Sequence, residues 1–236
     1  MMKKILLIAL SCLVLLFCVS CGNQEVEKYE KSDALIDYIT LYSADGNLEG
    51  YIDIEYDDDG KETKYGFKDP DGNWSWYYLY IYDENGNKTE MSQYDADGNW
   101  LVGTYYENDE DGKCIKETIK YNDENLMSTS STHEYDGENR SKTTHFDGAY
   151  SLFKYDKNGN VLEDVYYTSD GTLIRTYLNK YDKNGNLIKT SFVNSEGSTD
   201  SYSTYEYNNK GETTFGYDYN ENGELINKME YHYIEK

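Results

Sequence analysis

Tyr82-Asp83-Glu84-Asn85-Gly86-Asn87 and, a strand's length further on, Tyr94-Asp95-Ala96-Asp97-Gly98-Asn99 are two copies of one turn motif, and their repetition decides the fold. The motif returns at Tyr155 to Asn160 and Tyr181 to Asn186, with variants at Tyr56, Tyr207 and Tyr219. Its physics is plainest in Asp69-Pro70-Asp71-Gly72. Asp69 suits the first position of a type I turn, Pro70 pre-sets φ, Asp71 tolerates the bridge region and Gly72 takes positive φ. That combination predicts a three-residue hairpin loop closed by a glycine bulge. Where glycine is missing, Asn125 is expected to fill the left-handed slot.

The turns keep time. Gly46, Gly60, Gly72, Gly86, Gly98 and Gly112 are separated by 14, 12, 14, 12 and 14 residues, and Gly159, Gly171, Gly185, Gly197, Gly211 and Gly223 by 12, 14, 12, 14 and 12. The repeat is therefore 26 residues with two turns in each. Between the blocks the spacing slips through Asn125, Gly137 and Gly148, and residues 121–154 form an irregular middle.

The segments between turns are rich in Tyr, Thr, Ile, Val and Phe and alternate with period two. Leu48, Gly50, Ile52 and Ile54 alternate with Glu49, Tyr51, Asp53 and Glu55, which makes one face dry and the other wet. The expected fold is all-β, an up-and-down antiparallel meander of about sixteen strands. With 28 tyrosines and few aliphatic residues a deep two-layer core is hard to fill, so an extended or spiralling sheet is expected first. A closed barrel, which would remove the edges, comes second.

Residues 1–20 read as an export signal helix: Lys3 and Lys4, then an apolar run from Ile5 to Val19 that is too short to span a bilayer. Val19-Ser20-Cys21-Gly22 resembles a bacterial lipobox, which makes Cys21 the lipidation site, residues 21–35 the anchor and tether, and 36–236 the repeat domain. The expected location is the cell envelope, with the chain tied to a membrane by its lipid. The formal charge is −23, and it becomes −25 once the two signal lysines are removed. So acidic a chain repels phosphate backbones, which excludes nucleic acid as a partner.

Tyr181-Asp182-Lys183-Asn184-Gly185-Asn186-Leu187, followed by Gly197 and by Tyr205 to Gly211, resembles the YD repeat of Rhs-type bacterial surface proteins. The likeness runs over nearly all of residues 42–225 and implies β-hairpins laid side by side in a curling strip. The period here is longer than that family's, Asn follows the glycine in place of Arg, and no toxin segment is expected at the C-terminus.

Chemistry-bearing candidates are few. Applying one register along the hairpins aligns Gly66, Trp76, Tyr94 and Trp100 in a surface row, beside Lys64, Tyr78, Ser92 and Val102. The opposite, buried face would then carry Tyr65, Phe67, Leu79, Ile81, Met91 and Leu101. Trp74, Trp76, Tyr78, Tyr94 and Trp100 are thus the candidate ligand-binding residues, flat rings on which a glycan would stack. The competing reading is that these rings only stabilise the sheet. The Asp-rich turns could attract Ca2+, but their spacing suits turn formation better than a calcium loop. Cys114, the one cysteine outside residues 1–21, reads as a small sheet residue, and His133, His145 and His232 are scattered. Catalysis is not expected, nor is a dedicated cofactor or metal. The expected role is surface contact or scaffolding, with glycan binding as the alternative and an inhibitor or immunity-type accessory role as a remote third.

Overall fold

The computed structural model describes residues 34–123 and 125–234. The expected signal segment and the expected lipidation site Cys21 lie outside the described residues. Sixteen strands follow one another. They are β1 (Ile36–Ser43), β2 (Leu48–Tyr56), β3 (Glu62–Lys68), β4 (Trp74–Tyr82), β5 (Lys88–Asp95), β6 (Trp100–Asn108), β7 (Cys114–Tyr121) and β8 (Thr129–Asp136). The second half comprises β9 (Asn139–His145), β10 (Tyr150–Tyr155), β11 (Val161–Tyr167), β12 (Leu173–Tyr181), β13 (Leu187–Asn194), β14 (Thr199–Tyr207), β15 (Thr213–Asn220) and β16 (Leu225–Tyr233). Each pairs antiparallel with the next, and β16 pairs with β1 to close a barrel. The meander is as expected, but the extended or spiralling sheet is not. Closure leaves no unpaired edge, and the interior is filled by tyrosines and polar side chains as well as aliphatic ones.

The turns are built as their residues dictate. Asp83 N–H donates to Asn87 O at 2.9 Å, Gly86 N–H donates to Asp83 O at 3.0 Å, and Gly86 sits at φ 86°. The carboxylate is consumed by the turn: Asp83 Oδ1 accepts from Asn85 N–H at 3.0 Å and from Asn87 N–H at 2.8 Å. Asp57, Asp69, Asp95, Asp109, Asp156 and Asp182 repeat this pattern. These donors hold Asp83 below the usual carboxylate range, the Asn87 N–H first among them. Asn125 departs from expectation, because it takes the place that Asn85 has in its turn, and Leu126 the place that Gly86 has. There the loop is tied by Leu126 N–H to Asp123 O and by Asn125 N–H to Asp123 Oδ1.

Two rims differ in what their bulges carry. One rim holds the start of β1, the end of β16 and the turns at Gly60, Gly86, Gly112, Gly137, Gly159, Gly185 and Gly211. Here every odd-numbered strand has an extra residue near its start, for example Thr63, Thr89 or Ile115. The residue before it keeps a carbonyl that receives a side-chain donor from the next even-numbered strand. Tyr56, Tyr82, Tyr135, Tyr155, Tyr181, Tyr207 and Tyr233 donate their hydroxyls to Ile36, Glu62, Cys114, Arg140, Val161, Leu187 and Thr213 at 2.7–3.0 Å. Asn108 takes the eighth place, its Nδ2 donating to Lys88 O at 3.0 Å. The bulge also recurs at the β1–β16 seam, where no turn imposes it. The tyrosine of each Tyr-Asp pair on this rim thus satisfies a bulge carbonyl, and the aspartate or asparagine beside it builds the turn.

Inside the barrel, Ile39, Leu41, Ile52, Ile54, Tyr65, Tyr80 and Met229 form an apolar cluster, with Phe67, Trp76, Tyr78 and Met91 packed against it. The outer wall is charged and aromatic. Lys64 pairs with Glu55 at 3.5 Å, Lys116 with Glu107 at 2.5 Å and Lys154 with Glu163 at 2.6 Å, while Lys68 pairs with Asp53.

Candidate functional site

The structure divides the expected ligand-binding residues between two faces. Trp76 is opposite Phe67 and Asp95, and Tyr78 is opposite Tyr65 and Gln93, so both belong to the interior. Trp74, Tyr94 and Trp100 lie on the outer wall, where Trp74 is opposite Lys68 and Trp100 opposite Tyr94. The single row Gly66, Trp76, Tyr94 and Trp100 therefore does not exist. The cause is the bulge itself: the register that holds beside each turn shifts by one residue past Ser75 in β4 and past Thr89 in β5, which moves Trp76 off both Gly66 and Tyr94. A one-residue shift turns every later side chain to the other face. Leu79, Ile81 and Leu101, expected inside, are exposed, while Tyr65, Phe67 and Met91 do face inward.

What the outer wall holds instead is a short aromatic run near the rim opposite the chain ends. The Trp74 and Tyr77 rings are 5.7 Å apart, and Tyr77 stacks on Tyr94 at 5.2 Å with planes 11° apart. Gly66 lies beside Tyr77, where an added Cβ would sit 2.4 Å from Trp76 O. Trp100 Nε1 donates to Ser92 Oγ at 3.3 Å, which fixes the indole edge. One face of Trp74 is covered by cations, Lys64 Nζ at 4.0 Å and Lys68 Nζ at 4.5 Å from the ring centre.

The interior of the other half is polar. A cavity of about 330 Å³ is lined by Glu117, Ser131, His133, Arg140, Thr143, His145, Ser151, Phe153, Asp164, Tyr166 and Arg175, drawn from β7 to β12. His133 Nδ1 is 2.9 Å from Thr143 Oγ1, and its Nε2 is 3.2 Å from Glu117 Oε1. Ser131 Oγ is 3.0 Å from His145 Nδ1. Burial works to raise the Glu117 pKa, but contact with His133 and the field of Arg140 outweigh it, and the carboxyl lies below its usual range. Burial pushes Asp164 up and His145 down.

Residues 92–236 match one protein family, described only as an uncharacterised protein. The chain belongs to that family. No curated protein matches it. Among solved structures it is similar to the Tc holotoxin pore of Photorhabdus luminescens at 11% identity, over 86% of this chain and 13% of that one, with a TM-score of 0.34. It is also similar to porin-like proteins of Bacteroides uniformis (16% identity, 78% of this chain and 54% of that one, TM-score 0.33) and Bacteroides vulgatus (12%, 86% and 100%, 0.42). The chain thus spans little more than half of the first porin-like protein and about an eighth of the toxin chain.

Cys114 Sγ, Glu117 and His133 offer ligand atoms within 4.8 Å of one another, a donor set that zinc accepts. His133 Nε2 already faces Glu117 Oε1 at 3.2 Å, and burial pushes the Cys114 thiol up to about 11, so a metal would have to part that pair and deprotonate a buried thiol. The same high pKa keeps Cys114 a thiol at neutral pH, unsuited to nucleophilic attack. His232 stands apart on the outer wall, stacked on Tyr38 at 4.3 Å.

Sequence reasoning missed the polar cavity because its residues span Glu117 to Arg175 and come together only on closure. One signal was available. The 22 basic residues include two arginines, Arg140 and Arg175, and both face this cavity.

Proposed function

We propose that the chain is a bacterial extracytoplasmic lipoprotein, tied to a membrane through acylated Cys21, whose barrel acts by contact and not by catalysis. The observation that carries this reading is the outer aromatic run Trp74, Tyr77, Tyr94 and Trp100, a half-buried, tilted and stacked series held on a sheet. Its partner is a cell-wall or host glycan or a surface protein, with sugar rings stacking on Tyr94 and Trp100, since Lys64 and Lys68 lie over Trp74 and Lys64 also lies over Tyr77. Kinship with YD-repeat surface proteins is part of the same reading, supported by the paired duty of tyrosine and aspartate at one rim.

The test is retention of the full-length chain on an array of cell-wall and host glycans, with tryptophan fluorescence followed on any hit. The double change Trp74→Ala, Trp100→Ala should abolish retention and leave the thermal melt nearly in place. Loss of folding without any glycan retention in the parent protein would reduce the run to sheet packing. For the anchor, Cys21→Ser should release the chain from the membrane fraction, and continued membrane association would defeat the lipoprotein reading.

A further inference from the structure

The use of arginine singles out the cavity. Lysine supplies 20 of the 22 basic side chains, and on the outer wall the lysines are matched to carboxylates or rings, as in Lys64–Glu55, Lys116–Glu107 and Lys189 over Tyr202. Arg140 on β9 and Arg175 on β12 are different. Among the described residues neither guanidinium lies within 4 Å of a carboxylate. Arg175 stacks on Tyr166 at 4.7 Å, and its Nε is buried with no hydrogen-bond partner. Arg140 reaches only the Tyr135 hydroxyl, at 3.5 Å. A buried, unpaired donor costs about 1–3 kcal/mol, so it calls for a partner from outside the chain, a water, an ion or a ligand.

The remaining charged groups define that partner. Glu117 is turned to His133, and His145 to Ser131. Asp164 Oδ1 is buried without a hydrogen-bond partner, an acceptor waiting for a donor. The guanidinium fork matches an oxyanion, and the free carboxylate oxygen matches a hydroxyl. Phe153 adds an apolar wall, and the volume of about 330 Å³ falls at the small end of ligand sites. We propose that the barrel interior binds a small hydroxylated oxyanion, a sugar acid or sugar phosphate, with the anion on Arg140 and Arg175 and a hydroxyl on Asp164. This site is separate from the outer aromatic run and stands or falls without it.

The experiment is isothermal titration of the full-length chain, in a non-glycosidic detergent at low salt, with glucuronate, glucose 6-phosphate, inorganic phosphate and glucose. Glucuronate or glucose 6-phosphate should bind saturably at one site while glucose does not, and competition by inorganic phosphate marks the site as phosphate-selective. Arg175→Gln should weaken binding at least tenfold, and Arg175→Lys, which keeps the charge and loses the fork, should weaken it as well. Should Arg175→Gln fail to fold by circular dichroism, Arg140→Lys with the same titrations decides. Glucose binding as tightly as glucuronate, silence from both acids, or unchanged affinity in the folded arginine variants would overturn the proposal.

Discussion

The wall formed by β16 and β1 to β4 and the wall formed by β7 to β12 share one frame and differ in what they enclose. Turns, bulges and the tyrosine-to-carbonyl bonds recur on both, from Tyr56 and Tyr82 to Tyr155 and Tyr181. Inside the first wall sit Leu41, Ile52, Tyr65 and Met229, each less than 2% exposed. Inside the second sit Glu117, His133, Asp164 and Arg175. The frame is specified at the rims, in residues that satisfy their own backbone, so inward positions of mid-strand can be apolar or polar without altering the architecture. One wall can then serve stability while the other serves a ligand.

That contrast can be broken most forcefully in the apolar wall. Leu41→Ala or Ile52→Ala should cost roughly 2–5 kcal/mol through lost burial and a residual cavity, read from the denaturation midpoint. Ser151→Ala in the polar wall should cost less, about 1.5 kcal/mol for the lost hydrogen bond to Asp164, and equal costs on the two walls would erase the distinction. Gly66→Ala should fall in the upper range too, because its Cβ would meet the Trp76 carbonyl at 2.4 Å, whereas Gly216→Ala meets the mobile end of Met229 at 2.8 Å and should be milder. The order of those two melts checks whether backbone or side chain sets the limit.

The shared frame is expected to respond alike on both sides. Tyr82→Phe and Tyr181→Phe each remove one hydroxyl from a bulge carbonyl and should each cost about 1 kcal/mol. A large difference between them would show that the rims are not equivalent.

Acid should separate the walls more gently. His145 has its pKa depressed by burial below the usual 6.5, so its contribution is present above that value and is lost as pH falls through the folded pKa. The turn aspartates, depressed by their own N–H donors, lose theirs further down, below their ordinary 3.8. Hydrogen exchange between pH 7 and 5 should therefore quicken in β8 to β12 before β1 to β4, and uniform exchange would show that His145 does not matter.

Much of this was legible in the chain. Gly86 and Gly98 announce their turns because only glycine accepts φ near +80° cheaply, and the 26-residue beat follows. Strand number and antiparallel order come from the same glycines. The faces of β4 were not legible from alternation alone, since the extra residue Ser75 reverses it, and Trp76 and Tyr78 were thereby assigned to the surface. Closure ranks only second on the sequence because a scarcity of aliphatic residues reads as a scarcity of core, when Tyr65 and Tyr80 fill that place. The polar cavity depends on six strands meeting around one space, which no local pattern records.

The eightfold series of bulge carbonyls and their donors has a consequence for how such a chain can change size. Each 26-residue cassette brings one strand whose bulge offers a carbonyl and one whose tyrosine or asparagine answers it. Insertion or loss of a whole cassette preserves the parity that antiparallel closure demands, whereas a single strand would force β1 and the last strand to run the same way. The molecule is therefore quantised in pairs, and variants of neighbouring circumference should differ by two strands.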